Sequence, residues 1–132
     1  MSAPQNQHQA LILFAHGARD PRWAEPLARL QQLIAASVSS SVHIHQAFLE
    51  LMSPTLPELV AQLAAQHCQA ITVVPIFLGQ GGHVRRDLPQ LMTQLEAQYP
   101  QIQFNLATAI GENERVLMAI AEVCVANLFK SL

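Results

Sequence analysis

Two histidines set in different company carry most of the chemistry this sequence offers. His83 stands directly behind a glycine cluster (Gly79, Gly81 and Gly82) and just ahead of Arg85 and Arg86, in the run from Pro75 to Pro89. Imidazole is the commonest metal ligand among side chains, and arginine is the side chain best shaped to grip a carboxylate. Glycines allow positive φ, which suits a hinge or a tight loop beneath such a group. His16 opens a second polar break, His16-Gly17-Ala18-Arg19-Asp20-Pro21, and Glu50 closes the segment that begins at Val42. Two imidazoles and a carboxylate suit Co²⁺, Fe²⁺ or Zn²⁺ while leaving coordination positions open, as chemistry requires. Each residue alone has a plainer reading. A histidine behind a strand is more often a hydrogen-bonded loop residue, Glu50 a solvated strand end, and Arg85-Arg86 an exposed helix start. The case rests on convergence.

The surrounding elements must produce that convergence. Ala10–Ala15 and Ala70–Val74 are continuously apolar, as strands covered on both faces are. Val42–Phe48 begins by alternating, and Ile102, Phe104 and Leu106 alternate with Gln101, Gln103 and Asn105, the pattern of strands with one wetter face. Between them, Leu27, Leu30 and Ile34, then Leu56, Leu59 and Leu63, then Leu88, Leu91 and Leu95, recur at helical spacing. Pro26 delays the first regular helix to about Glu25, and Ser53-Pro54, or Thr55 with Glu58, signals the start of the second. A last helix over Arg115–Lys130 is apolar nearly all round, which predicts burial on more than one side. The order βαβαβαβα predicts a parallel α/β sheet with helices on both faces. Continuous strands belong in the centre, so the expected order is 2-1-3-4, a flavodoxin-like lobe. Such sheets bind ligands beyond the strand C-termini where the strand order reverses. His16 and His83 follow the two strands that flank this point, and Arg19, Arg85 and Arg86 share the rim. The other histidines, His8, His43, His45 and His67, have no such convergence and read as structural or surface groups.

Composition excludes several alternatives. A chain of 132 residues is expected to be one domain, here a disordered tail over 1–9 and an α/β domain over 10–132. Charged residues are 12% against 51% hydrophobic, which leaves little polar surface and favours burial against a second chain. With a net charge of −2 and no basic run longer than two, nucleic-acid binding is disfavoured. No apolar run reaches a membrane span, and residues 1–9 lack the pattern of an export signal. Cys68 and Cys124 lack metal-type spacing and read as buried, reduced thiols in helices, which implies a cytoplasmic protein.

With these residues assembled, the sequence resembles the small CbiX-type sirohydrochlorin chelatases of cobalamin and siroheme synthesis. The likeness runs from about Leu11 to Val123 and rests on three motifs. They are His16-Gly17-Ala18-Arg19; Phe48-Leu49-Glu50 with Pro54; and Pro75-Ile76-Phe77-Leu78 through Gly82-His83-Val84 to Asp87-Leu88-Pro89. The resemblance implies insertion of a divalent metal, Co²⁺ first and Fe²⁺ or Ni²⁺ next, into a tetrapyrrole, with no organic cofactor. It places the metal on His16 and His83, makes Glu50 the acidic catalytic residue, and leaves Arg19, Arg85, Arg86, Gly81 and Gly82 to bind the substrate. Longer relatives carry two lobes in tandem, so a single lobe implies a homodimer. Ala18 stands where the family usually has serine, which keeps a non-catalytic metal or tetrapyrrole carrier in view. A phosphate-binding flavodoxin-like module, with Gly79–Gly82 as the cradle, is the remaining alternative.

Overall fold

The difference between continuous and alternating strands reappears as position in the sheet. A computed structural model describes residues 8–130 and has one all-parallel sheet in the order β2-β1-β3-β4. Its strands are β1 (Gln9–Ala15), β2 (Val42–Phe48), β3 (Ala70–Pro75) and β4 (Gln103–Leu106). The expected order holds. β1 pairs with β2 from Gln9↔Val42 to Ala15↔Phe48, and with β3 from Gln9↔Ala70 to Phe14↔Pro75. Strand β1 thus starts at Gln9, inside the stretch read as tail; residues 1–7 lie outside the described residues.

Side chains alternate across the pleat, so each strand feeds two layers. Ile12, Phe14, Ile71 and Val73 meet α2 (Leu56–Ala65) and α3 (Gly82–Gln98) in the larger core, through Leu59, Val60, Leu63, Leu88, Met92 and Leu95. Burying each large side chain there contributes roughly 1.5–3 kcal/mol relative to leaving it exposed. The opposite face has a smaller cluster of Ala15, Phe48 and Leu27, the last from α1 (Glu25–Ala35).

Local signals explain where the helices start. Asp20 caps a 3₁₀ turn, Pro21–Ala24, by accepting the Arg22 N–H at 2.9 Å, and α1 begins after it at Glu25. Thr55 and Glu58 form a reciprocal capping box at α2, the second of the two signals read there. Helix α3 departs from expectation. It begins at Gly82, so Pro89 lies inside it. A proline forfeits one intrahelical bond there, and burial of Leu88, Met92 and Leu95 offsets the loss. Gly79, Gly81 and Gly82 do not take positive φ either.

Two further expectations fail. Helix α4 (Glu114–Leu128) has no buried residue, although its pattern calls for burial on more than one side. Cys68 is buried between α2 and β3 rather than in a helix, and Cys124 is exposed on α4. Burial pushes the Cys68 thiol above its ordinary pKa.

Candidate functional site

Parallel pairing gathers every strand C-terminus at one edge, and two hydrogen bonds carry the β1–β2 ladder past the strands there. Leu49 N–H donates to the Ala15 carbonyl at 2.8 Å, and Glu50 N–H donates to the His16 carbonyl at 3.0 Å. His16 and Glu50 are therefore fixed side by side through their backbones. Gly17 makes the turn possible. Its φ is +96°, and a Cβ there would collide with the Glu50 carbonyl oxygen, so no other residue fits without strain.

An aromatic pair joins this corner to the third strand. The His16 ring lies on Phe77, with centroids 4.4 Å apart and a 40° tilt. Phe77 meets Phe14 edge to face at 5.8 Å, and both phenylalanines are buried. Phe14 in turn lines a shallow hollow of about 150 Å³ with Leu49, His83, Asp87 and Leu91. His83 occupies the first turn of α3, its Nε2 2.8 Å from Asp87 Oδ2 one turn on. His16, Glu50 and His83 thus share one rim, linked through Phe77, Phe14 and Leu49. Among the described residues, no three His, Cys, Asp or Glu side chains meet closely enough to cage an ion. The rim gathers donors without presenting a closed site.

The arginines are spread more widely. Arg19 is exposed in the bend after Gly17. Arg85 Nη1 lies 3.5 Å from Glu112 Oε1 and lines a second hollow, of about 250 Å³, with Gln80, Pro89, Leu106 and Thr108. That hollow is on the β4 side of α3, whereas His83 borders the β1 side. Arg86 Nε donates to the Gly82 carbonyl at 3.3 Å, within its own helix. Gly81 is the N-cap of α3 and Gly82 its first residue, and there is open space where a side chain would stand on each.

Several groups at this rim have no role assigned in the sequence reading. Asp87 appears there only as a motif residue; its i,i+4 relation to His83 counts only once α3 is known to begin at Gly82. Phe14 reads as an ordinary strand residue, Phe77 as part of the connection after the third strand, and Glu112 as part of the connection before the last helix. Leu49, Leu51 and Leu78 are exposed beyond the strand ends, where they offer an apolar surface beside the histidines. Away from the rim, His45 is half-buried with Nε2 lacking a hydrogen-bond partner. Burial, then neighbouring His43, pushes its pKa below the ordinary histidine value.

Comparison with known proteins gives the chain a family. The family model described as CbiX matches residues 10–125. The chain belongs to the CbiX family. Among curated relatives, the sirohydrochlorin cobaltochelatase of Methanocaldococcus jannaschii is 33% identical over 88 residues, covering 67% of this CbiX chain and 61% of that protein. A solved structure described as a putative cobalamin biosynthesis CbiX protein from Marinobacter aquaeolei VT8 is 35% identical, with a TM-score of 0.79 over 93% of this chain and 99% of that one. The sirohydrochlorin chelatase SirB of Bacillus subtilis subspecies spizizenii, solved with cobalt, is 28% identical with a TM-score of 0.72. That match covers 89% of this chain and 50% of SirB. The chain thus spans about three fifths of the first curated relatives and half of SirB. Among the described residues, no helix is long and apolar enough to cross a membrane.

Proposed function

We propose that this CbiX chain is a chelatase that inserts a divalent metal ion into sirohydrochlorin or a close tetrapyrrole, in cobalamin or siroheme synthesis. Co²⁺ is the first candidate for the metal substrate, with Fe²⁺ and Ni²⁺ next. One observation carries the reading: His16, Glu50 and His83 come from three different connections and stand on one rim, at the reversal of strand order, beside exposed leucines. Curated relatives named as cobaltochelatases and a ferrochelatase support it. The enzyme works in the cytoplasm as a pair of chains.

The residues divide the work by their chemistry. Inserting one divalent ion releases two protons from the pyrrole nitrogens. Unprotonated His16 and His83 receive the ion without filling its coordination, so it passes on rather than staying. The Asp87 carboxylate 2.8 Å from Nε2 of His83 favours a proton on that nitrogen, and Nδ1 is the nitrogen we assign to the metal. Glu50, exposed beside His16, accepts one pyrrole proton as general base, and an imidazole vacated as the metal moves on takes the other. Leu49, Leu51 and Leu78 face the apolar plane of the macrocycle, and Arg19, Arg85 and Arg86 pair with its peripheral carboxylates. Arg85 can exchange Glu112 for such a partner at little cost, because exposed ion pairs contribute only ~0–1 kcal/mol. Gly81 and Gly82, without side chains, leave room for the macrocycle edge.

The test is anaerobic mixing of the protein, sirohydrochlorin and Co²⁺, followed by absorption. Many equivalents of metallated product per chain are expected. Substituting His83→Ala should abolish turnover and leave the circular dichroism unchanged. Full turnover in that variant refutes the ligand role, and uptake that stops at one equivalent in the wild type identifies a carrier instead.

A further inference from the structure

Three of the histidines that stand apart from the rim cluster toward the opposite edge of the sheet, where the strands begin. His43 and His45 are alternate residues of β2 and share a face; they pair with Ala10 and Ile12, which belong to the larger core. His8 precedes β1 and is pinned by its carbonyl, which accepts the Gln69 N–H at 3.0 Å and the Cys68 thiol at 3.4 Å. The ring centroids of His8 and His43 are 5.3 Å apart, and those of His43 and His45 are 6.5 Å apart.

An imidazole bonded to an ion at ~2.1 Å has its ring centroid about 3.2 Å from that ion, so two rings at a tetrahedral angle stand about 5 Å apart. His8 and His43 meet that spacing. His43 and His45 exceed it and would reach one ion only from opposite sides. The His8 and His43 planes stand at 83° to each other. Turning either ring about its Cβ–Cγ bond swings the nitrogens and leaves the centroid nearly in place, and that torsion is soft. His43 is exposed, so its ring turns without disturbing the core. An edge-to-face contact would account for the two rings by themselves. Their surroundings ask for more.

His8 and His43 line a hollow of about 80 Å³ with Leu63, Gln66 and Cys68. That volume admits an ion and the waters that complete its coordination, since a water occupies about 30 Å³. Leu63 and Gln66 belong to the C-terminal end of α2, where the helix dipole is negative and favours a cation. No basic side chain stands in the last turn of α2 to answer it. Among the described residues, no carboxylate lines the hollow, which disfavours Mg²⁺ and Ca²⁺; imidazole suits Zn²⁺, Ni²⁺, Cu²⁺ and Co²⁺. The Cys68 thiol is engaged by the His8 and Ala70 carbonyls, each at 3.4 Å. We propose that His8 and His43 form a second metal site, which takes one first-row divalent ion with water in its remaining positions. Six steps of about 3.3 Å along β1 separate Gln9 from Ala15, so the site lies roughly 20 Å from the rim. An ion there is no substrate in transit. It ties the residue before β1 to the outer strand β2 and stabilises the folded chain that binds it.

Calorimetric titration with Zn²⁺ tests the site in full-length protein carrying His16→Ala and His83→Ala, which removes the rim histidines from the count. One Zn²⁺ per chain should bind, and the melting temperature should rise with added Zn²⁺ but not with Mg²⁺. Adding His43→Ala should weaken binding by at least about tenfold and abolish the rise. His8→Ala, outside the strands, should do the same, and unchanged circular dichroism would exclude unfolding as the cause. His45→Leu should leave the affinity as it was. Three results overturn the proposal: no Zn²⁺ bound without the rim histidines, equal affinity after His43→Ala or His8→Ala, or loss of the ion on His45→Leu. No tetrapyrrole is present in the titration, so a failure of the chelatase assignment would be seen separately.

Discussion

Asp87 is the residue whose role depends most on its neighbours. Its Oδ2 lies 2.8 Å from Nε2 of His83, a contact that favours the imidazole tautomer with its proton on Nε2, so it acts as a positioning residue. Asp87→Ala should raise the KM for Co²⁺ by about tenfold with a smaller change in kcat, because the ring loses its preferred tautomer and orientation. Asp87→Asn keeps an acceptor and should recover much of the loss. Initial rates against cobalt concentration measure both, and an unchanged KM in the alanine variant would remove Asp87 from the site. Arg85 calls for a different signature. If it grips a peripheral carboxylate equally in ground and transition states, Arg85→Ala raises the KM for sirohydrochlorin and spares kcat. A loss confined to kcat would assign it to the reacting centre instead.

Among the elements, the turn after β1 is the least tolerant. Gly17 holds a backbone conformation that side chains rarely adopt, with the Glu50 carbonyl against it. Gly17→Ala should cost at least ~1–3 kcal/mol in strain alone and push His16 away from Glu50. Urea unfolding and turnover should both register the change; a variant of wild-type stability and activity would mean that the turn is looser than drawn. By contrast, Gly79, Gly81 and Gly82 have open space around them. Their freedom from side chains matters for what approaches them, not for the backbone conformation they hold. The start of α3 at Gly82 has the larger consequence, since it places His83, Arg85 and Asp87 on alternate positions of the first two helical turns. His83 then faces the β1 side and Arg85 the β4 side.

For the whole molecule, the balance of charge in the folded state gives a test that needs no substrate. His45 on β2 is half-buried without a partner for Nε2, and burial together with His43 lowers its pKa. As pH falls, the unfolded chain takes up this proton before the folded one does. Stability is therefore full above the ordinary histidine value of about 6.5 and declines as pH falls from there toward the lower folded value. Melting temperatures at pH 7 and pH 5 should differ in the wild type, and less so in His45→Leu. An identical fall in the variant would place the acid sensitivity elsewhere. Association belongs to this scale too, because one chain leaves α4 without cover.

Local pattern was enough to determine the sheet and the elements around it. The unbroken apolar run of Ala10–Ala15 against the alternation at Val42–Phe48 reports how many faces of each strand are covered, and that orders the strands. The order carries His16, Glu50 and His83 to one edge, because parallel strands end together. Tertiary structure alone decided what the groups at that edge touch. The reach of α3 back to Gly82 depends on Leu88 and Met92 finding the core, which outweighs the glycines and Pro89 that read as breaks. The His16–Phe77–Phe14 contact joins the end of β1 to the connection after β3, and the pairing of His83 with Asp87 follows from the helix start. The pattern of α4 states how much apolar surface must be covered. It does not state by what, since periodicity records a face and not its neighbour.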